Sequence, residues 1–195
     1  METKPEIILG VGGYAGVGKD TLADLLVTRF KFTKISFADP MREMAVAMDP
    51  VVGFGEDDTP IRYTEAIEMC GYTQAKVIFP EVRQFLQRLG TEGGRRVLGE
   101  DIWVNAALAR VKDGERIVIP DMRFVNEADA IKSAGGRTIR VSRKGVEAPN
   151  EHPSEHDLDG WNYDLHMSNN TFPNDMVVRL EQFFARTAPR ILKIW

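Results

Sequence analysis

Apolar positions along the chain follow two periodicities, one of strands and one of helices. Ile7 to Val11 (IILGV) is a short apolar run that ends on glycines, the pattern of a strand covered on both faces. A glycine-rich turn follows, and from Lys19 to Phe30 the residues Leu22, Leu25, Leu26 and Phe30 recur at helical spacing, predicting an amphipathic helix. Lys34 to Phe37 reads as a second strand. Residues 39–48 read as a helix, with Asp39 as N-cap and Pro40 at the first helical position. Residues 51–61 (VVGFGEDDTPI) read as loop, with Gly55–Asp58 as a solvated turn rather than an ion site. Tyr63 to Leu98 is helical in pattern, with breaks expected at Gly71, Pro80 and Gly90. A helix over Asp101–Val111, a strand over 116–121, a helix over Val125–Ala134 and a strand over 137–141 follow in βαβ alternation. Residues 142–160 are polar, with two prolines and two glycines, and predict a long surface excursion, either an ordered lid or a mobile loop. Asp164–Ser168 predicts a last short strand and Met176–Phe184 a helix. The apolar residues of the tail, Ile191, Leu192, Ile194 and Trp195, suit a homodimer contact as well as an intrachain one. Crossovers of this kind require a mainly parallel sheet with helices on both faces.

Composition narrows the function classes. The 195 residues, 43% hydrophobic and 28% charged, suit one ordinary globular domain. With 25 Lys and Arg against 29 Asp and Glu the formal charge is −4, which argues against a general nucleic-acid coat or a membrane-surface binder. Sixteen of the 25 cations are Arg, ten of them between Arg83 and Arg143, and the planar guanidinium is the side chain that grips phosphate at two points. The single cysteine, Cys70, excludes an intrachain disulfide framework and a Cys-built zinc site, and reads as a half-buried apolar residue of a protein in a reducing cytosol. The N-terminus does not read as a signal peptide, and no apolar stretch approaches the roughly 20 residues of a membrane span. The expectation is a soluble, cytoplasmic protein.

The strongest local signal is GYAGVGKDT, set between the first predicted strand and the first predicted helix. Gly13 and Gly18 bracket Tyr14, Ala15, Gly16 and Val17, and Lys19, Asp20 and Thr21 follow, which is a phosphate-binding P-loop in its required context. Glycines let successive backbone N–H groups point inward around an anion, and the helix behind adds its positive end. Lys19 supplies a point charge for the outer phosphates. The residue after it is Asp20, with the hydroxyl one later at Thr21, so either can hold a magnesium ion directly or through water.

Four further clusters carry candidate chemistry. IVIPDMRF ends a strand on Asp121, with Arg123 two residues on. A carboxylate there can hold magnesium and the arginine can reach a phosphate, or the pair is a helix cap and a surface cation. In RQFLQRLGTEGGRR (83–96) the pairs Arg83/Gln87 and Gln84/Arg88 each share a helix face, which suits an acceptor clamp or a solvated charged surface. Arg140, Arg143 and Lys144 root the polar excursion, as a cationic lid or as ordinary surface charge. His152 and His156 in EHPSEH, with His166 nearby, raise the question of zinc, but Pro153 disfavours a helix that would align the pair.

Taken together, GYAGVGKDT, SFADPMRE, RQFLQRLGTEGGR with DIWVN, IPDMRFVNEADAI and RVSRKG leading to HPSE resemble the deoxynucleoside monophosphate kinases of tailed bacteriophages, in the P-loop nucleoside monophosphate kinase superfamily. The blocks run in order from residue 10 to about 170. The resemblance implies a three-layer α/β P-loop fold over residues 1–195, with a five-stranded mainly parallel sheet, a helical acceptor-binding insertion at about 50–100 and a lid at about 142–160. It implies transfer of the γ-phosphoryl group of ATP, with Mg²⁺, to a deoxynucleoside monophosphate in the cytoplasm of an infected bacterial host. By that similarity Phe37, Asp39, Arg83, Gln84, Gln87, Arg88, Thr91, Trp103, Arg123 and Glu127 border the acceptor. Gly13, Ala15, Gly16, Val17, Gly18, Lys19, Asp20, Thr21 and Arg140 border the donor, while Lys19, Asp121, Arg123 and Arg143 serve the transfer and Asp20, Thr21 and Asp121 the metal. A phosphate acceptor with a second pKa of about 6 is largely dianionic at neutral pH, so no general base is required, and none stands out. The alternatives are a P-loop kinase for another small metabolite such as dephospho-coenzyme A, where Asp39 or Asp121 would be the base for a hydroxyl, and a nucleotide-binding switch ATPase. No NKxD-type guanine-reading motif supports the latter; a polynucleotide end kinase is a further alternative, for which the charge of −4 offers no broad strand-tracking groove.

Overall fold

The computed structural model describes residues 5–148, 153–170 and 173–192; His152, Ile194 and Trp195, singled out above, lie outside these. In chain order the elements are β1 (Ile7–Gly12), α1 (Lys19–Phe30), β2 (Thr33–Lys34), α2 (Asp39–Met48), β3 (Val51–Phe54), β4 (Pro60–Arg62), α3 (Tyr63–Ile78) and α4 (Pro80–Gln87). A π-helical stretch, Arg88–Arg95, continues α4 and runs into α5 (Arg96–Leu98). Then come α6 (Ile102–Leu108), β5 (Arg116–Ile119), α7 (Val125–Ser133), β6 (Arg137–Ser142), α8 (Pro153–His156), β7 (Leu165–Ser168), α9 (Pro173–Thr187) and a 3₁₀ turn, Pro189–Leu192. The chain divides into two compact units: residues 38–107, and the remainder on either side of them.

The flanking parts build a five-stranded sheet in the order β2-β5-β1-β6-β7, every pairing parallel. Central β1 is buried along its whole length, as a strand covered on both faces must be. Ile7, Leu9 and Val11 meet Leu22 and Leu26 of α1 and Leu180 and Phe184 of α9 in one apolar cluster. On the opposite face Gly10 leaves room for Met122 and for Ile131 of α7. Helices therefore cover both faces of an α/β sheet, and β1 stands where the strand order reverses, the place where such sheets bind ligands.

The other unit is helical apart from one hairpin. Ala45, Val52, Tyr63, Ala66, Ala75, Val82, Phe85 and Leu86 form its core. α3 kinks at Gly71 (φ 78°, ψ 156°), and Pro80 opens α4.

Several expectations need correction. Residues 51–61 are not simply loop, because Val51–Phe54 and Pro60–Arg62 pair as an antiparallel hairpin with a register shift at Gly53, around a turn in which Asp57 accepts the Thr59 N–H. No break falls at Gly90. The helix passes through it in π form, and the Gly90 carbonyl accepts the indole N–H of Trp103 at 2.8 Å. The second strand ends at Lys34 rather than Phe37, because the Phe37 N–H is drawn to Asp121 instead of to the ladder. The helix expected to run to Val111 ends at Leu108. Pro153 does not prevent a helical turn but begins one, at a position whose N–H has no helical partner in any case.

Candidate active site

The phosphate loop leaves the C-terminal end of β1 and enters α1. Gly13 has φ 133° and lies against the Val141 carbonyl of β6, where a Cβ would stand 2.2 Å from the oxygen. Gly18 has φ 97°, and a Cβ there would meet the Asn169 side chain at 2.1 Å. Both positions therefore need glycine for conformation and for space. The Asn169 amide donates to the Val17 carbonyl at 2.9 Å and fastens the loop from the far end of β7. Sequence reading did not single out Asn169, since no motif marks it.

Lys19 folds over its own loop. Its Nζ donates to the carbonyls of Gly13 (2.6 Å) and Tyr14 (2.8 Å). Burial and the nearby Arg123 guanidinium hold its pKa below the ordinary lysine range, against the opposing pull of Glu155, Asp20 and Asp121. Asp20 is exposed and paired with Lys34 at 2.8 Å, so its carboxylate is engaged at the start of α1. Thr21 is exposed in the same turn.

Asp121 follows β5 at its C-terminal end. Its carboxylate accepts hydrogen bonds from the Ser36 hydroxyl and, at 3.0 Å, from the Phe37 N–H, which latches the ends of two strands together. It caps no helix, because α7 begins only at Val125. Arg123 sits on the intervening turn, and buried Glu127 holds that turn by accepting the Arg123 N–H (2.7 Å) and the Phe124 N–H (3.1 Å). Glu127 thus faces the backbone of the turn that presents Arg123.

Glu155, which the sequence reading passed over, is the group that joins these parts. One carboxylate oxygen accepts the Ala15 N–H of the phosphate loop at 3.1 Å, and the other accepts Arg123 Nη1 at 2.7 Å. Its side chain is only 7% exposed. Four residues on, Asp159 accepts the Tyr14 hydroxyl (2.9 Å) and Arg140 Nη2 (3.0 Å), and its other oxygen meets His156 Nδ1 (2.9 Å). Burial alone would raise the Asp159 pKa, but hydrogen bonds from His156, Arg140 and Tyr14 outweigh it and hold the carboxylate below its usual range. The same bond pushes the Tyr14 phenol up. Arg140 also lies over the Tyr14 ring, 5.3 Å from its centre. Arg143 is exposed just past β6.

In the helical unit Asp39 pairs with Arg42 at 3.0 Å. Arg83, Gln84, Gln87 and Arg88 are exposed, Arg88 pairs with Glu81, and Thr91 is exposed in the π-helical stretch. Trp103 is buried, with its ring against Gly94. Among the described residues no group of three or more His, Cys, Asp or Glu could hold a metal ion, and His156 is committed to Asp159.

A model of the family described as deoxynucleotide monophosphate kinase matches residues 56–179, more than half of the chain. The chain belongs to this family. A relative in Acanthamoeba polyphaga mimivirus, provisionally named a deoxynucleotide monophosphate kinase, is 29% identical over 175 residues, which span 84% of this chain and 89% of the relative. Similar solved structures include the APS kinase of Mycobacterium tuberculosis (12% identity, 95% of this chain and 99% of that one, TM-score 0.40) and a sugar kinase from Janibacter (12%, 97% and 98%, TM-score 0.41). Family membership makes the chain a phosphotransferase, with its phosphate loop on an α/β sheet. No helix among the described residues is long and apolar enough to cross a membrane.

Proposed function

We propose that this member of the deoxynucleotide monophosphate kinase family transfers the γ-phosphoryl group of ATP to the 5′-phosphate of a deoxynucleoside monophosphate. An acceptor phosphate oxygen forms the new bond to the γ-phosphorus, the bond to the β,γ-bridging oxygen breaks, and the products are ADP and the deoxynucleoside diphosphate. The observation that carries this reading is the Glu155 carboxylate, an anion seated on both the Ala15 N–H and the Arg123 guanidinium. A loop amide and a guanidinium that converge on one anion are the parts that phosphoryl transfer needs.

The residues fit both the donor and its metal. The buried Tyr163 hydroxyl has no hydrogen-bond partner and lines the small cavity shared by Gly13, Tyr14, Arg123, Arg140 and Glu155, leaving a donor available for a further anion oxygen. Magnesium bound with nucleotide phosphates needs only one or two protein oxygens. Thr21, Asp20 and Asp121 are the candidates: Thr21 is exposed at the start of α1, Asp20 is exposed beside Lys34, and both oxygens of Asp121 already accept hydrogen bonds from Ser36 and Phe37. When bound there, the ion would supply positive charge to the donor phosphates.

In the proposed mechanism, Lys19 leaves the Gly13 and Tyr14 carbonyls for the outer phosphates. The loop amides orient the donor, and Arg123, held by Glu127, neutralises charge that builds on the transferring group. The acceptor dianion attacks without a base. Asp39 and the Arg83, Gln84, Gln87 and Arg88 face are assigned to acceptor binding on the strength of the family resemblance, and Arg140 and Arg143 to the phosphates.

The test is ADP production from Mg-ATP with dTMP, dGMP, dCMP and dAMP offered separately, each beside its ribonucleotide counterpart. Strong stimulation by one or more deoxynucleotides is expected. ATP binding with no stimulation by any monophosphate overturns the reading in favour of another small-molecule kinase or a switch ATPase.

A further inference from the structure

Residues 153–160 set three acidic side chains two apart, and each meets donors of the sheet unit. Asp157 accepts the Val125 N–H at the start of α7 (2.7 Å), and Asp159 gathers Tyr14, Arg140 and His156. These two contacts hold the segment against the sheet unit. Glu155, two residues before Asp157, differs in what it touches: its oxygens occupy the Ala15 N–H and Arg123 Nη1, the groups that the donor-site reading assigns to phosphate.

Glu155 is an imperfect occupant of that position. A carboxylate brings one charge and two oxygens, whereas a terminal phosphate brings up to two charges and three oxygens. The donors left over around it are visible. Tyr163 Oη is buried and unpartnered among the residues lining the same cavity. Lys19 Nζ is committed to carbonyls of its own loop rather than to an anion. The cavity that remains is about 10 Å³, which leaves no room for a phosphate beside the carboxylate.

We propose that Glu155 is an internal competitor for the donor nucleotide: its carboxylate occupies the anion position of the phosphate loop, and the nucleotide phosphates bind by displacing it and taking over Arg123. This rests on the reading of the loop as the donor-phosphate site and adds a competing occupant to it. Occupation by Glu155 reduces the fraction of molecules competent to bind, so the apparent affinity for nucleotide lies below the intrinsic one by that fraction. Asp157 contributes indirectly, by holding the segment in place.

The experiment is calorimetric titration of the full chain with Mg-ATP, and separately with ADP, for the wild type and for Glu155→Gln, Glu155→Ala and Asp157→Ala, with circular dichroism to verify folding. Both Glu155 variants are expected to bind each nucleotide about tenfold more tightly or better, and Asp157→Ala to shift in the same direction by less. Unchanged or weaker binding in the Glu155 variants, with or without a fall in kcat, overturns the proposal and makes Glu155 a group that orients Arg123. If neither nucleotide binds the folded wild type or any folded variant, the donor-site reading fails and takes this one with it. Binding by the wild type that the variants do not improve refutes the competitor alone. Should Glu155→Ala fail to fold, the near-isosteric Glu155→Gln, which removes the charge that draws Arg123, decides the matter.

Discussion

Lys19 donates to two part-buried carbonyls of its own loop. Truncating it removes little net from the folded state, because the two hydrogen bonds it gives up are offset by relief of the burial of its ammonium, the burial that also lowers its pKa. The same truncation removes the point charge assigned to the transferring phosphate, and deletion of one preorganised electrostatic group typically costs about 10²–10³ in kcat. Lys19→Ala is therefore expected to unfold within about 1 kcal/mol of wild type while losing at least two orders of magnitude in kcat. Parallel urea unfolding and ADP-release assays check both halves, and near-normal turnover would remove Lys19 from the chemistry. Lys19 was legible as a residue because its neighbours in sequence are its neighbours in space. Glu155 was not. It meets Ala15 across 140 residues of chain, and EHPSEH drew attention to its histidines, which the contact does not use.

At the scale of elements, the π-helical stretch Arg88–Arg95 is braced by a side chain of α6. The Trp103 indole donates to the Gly90 carbonyl at 2.8 Å and its ring covers Gly94, at the place where a wider helical turn leaves carbonyls poorly served. Trp103→Phe keeps an aromatic ring but removes the donor and part of the volume, and is expected to destabilise the protein by about 1–3 kcal/mol. A denaturation midpoint equal to that of wild type would show that the stretch holds its shape without the bond. Such bracing also explains which elements could be read in advance. β1, α1, α2, α7 and β6 begin and end within a residue or so of expectation, since each has an unbroken apolar period and a glycine, proline or polar boundary. The hairpin of β3 and β4 escaped because its strands are four and three residues long, too short for alternation to register, and one contains a glycine at the register shift. The passage through Gly90 escaped because a partner 13 residues away overrides local propensity.

For the whole molecule, acid stability follows from two carboxylates that tie distant parts of the sheet unit. Asp164 accepts Lys132 of α7 (2.6 Å) and both the N–H and the hydroxyl of Thr138 in β6 (2.7 and 3.2 Å), joining a helix to two strands. Burial alone would raise its pKa, but the bonds from Lys132 and Thr138 outweigh it and hold it below the ordinary range, as happens at Asp159 beside the phosphate loop. An unfolded Asp titrates at about 3.9. Above that both groups are ionised in either state, and their stabilisation is fully present. As the pH falls below it, the unfolded chain takes up protons before the folded one, so stability rises with pH in this window and declines on acidification through the depressed folded values. The urea midpoint is thus expected to hold steady from pH 7 to 5 as far as these groups are concerned, and then to fall. Asp164→Asn should start from a lower midpoint at pH 7 and lose less on acidification, because it has no such proton to take up. Acid limbs that run parallel in wild type and variant would show that Asp164 carries none of the pH dependence, and would leave Asp159, with its contacts to Tyr14 and Arg140, as the acid-sensitive tie of the phosphate-loop face.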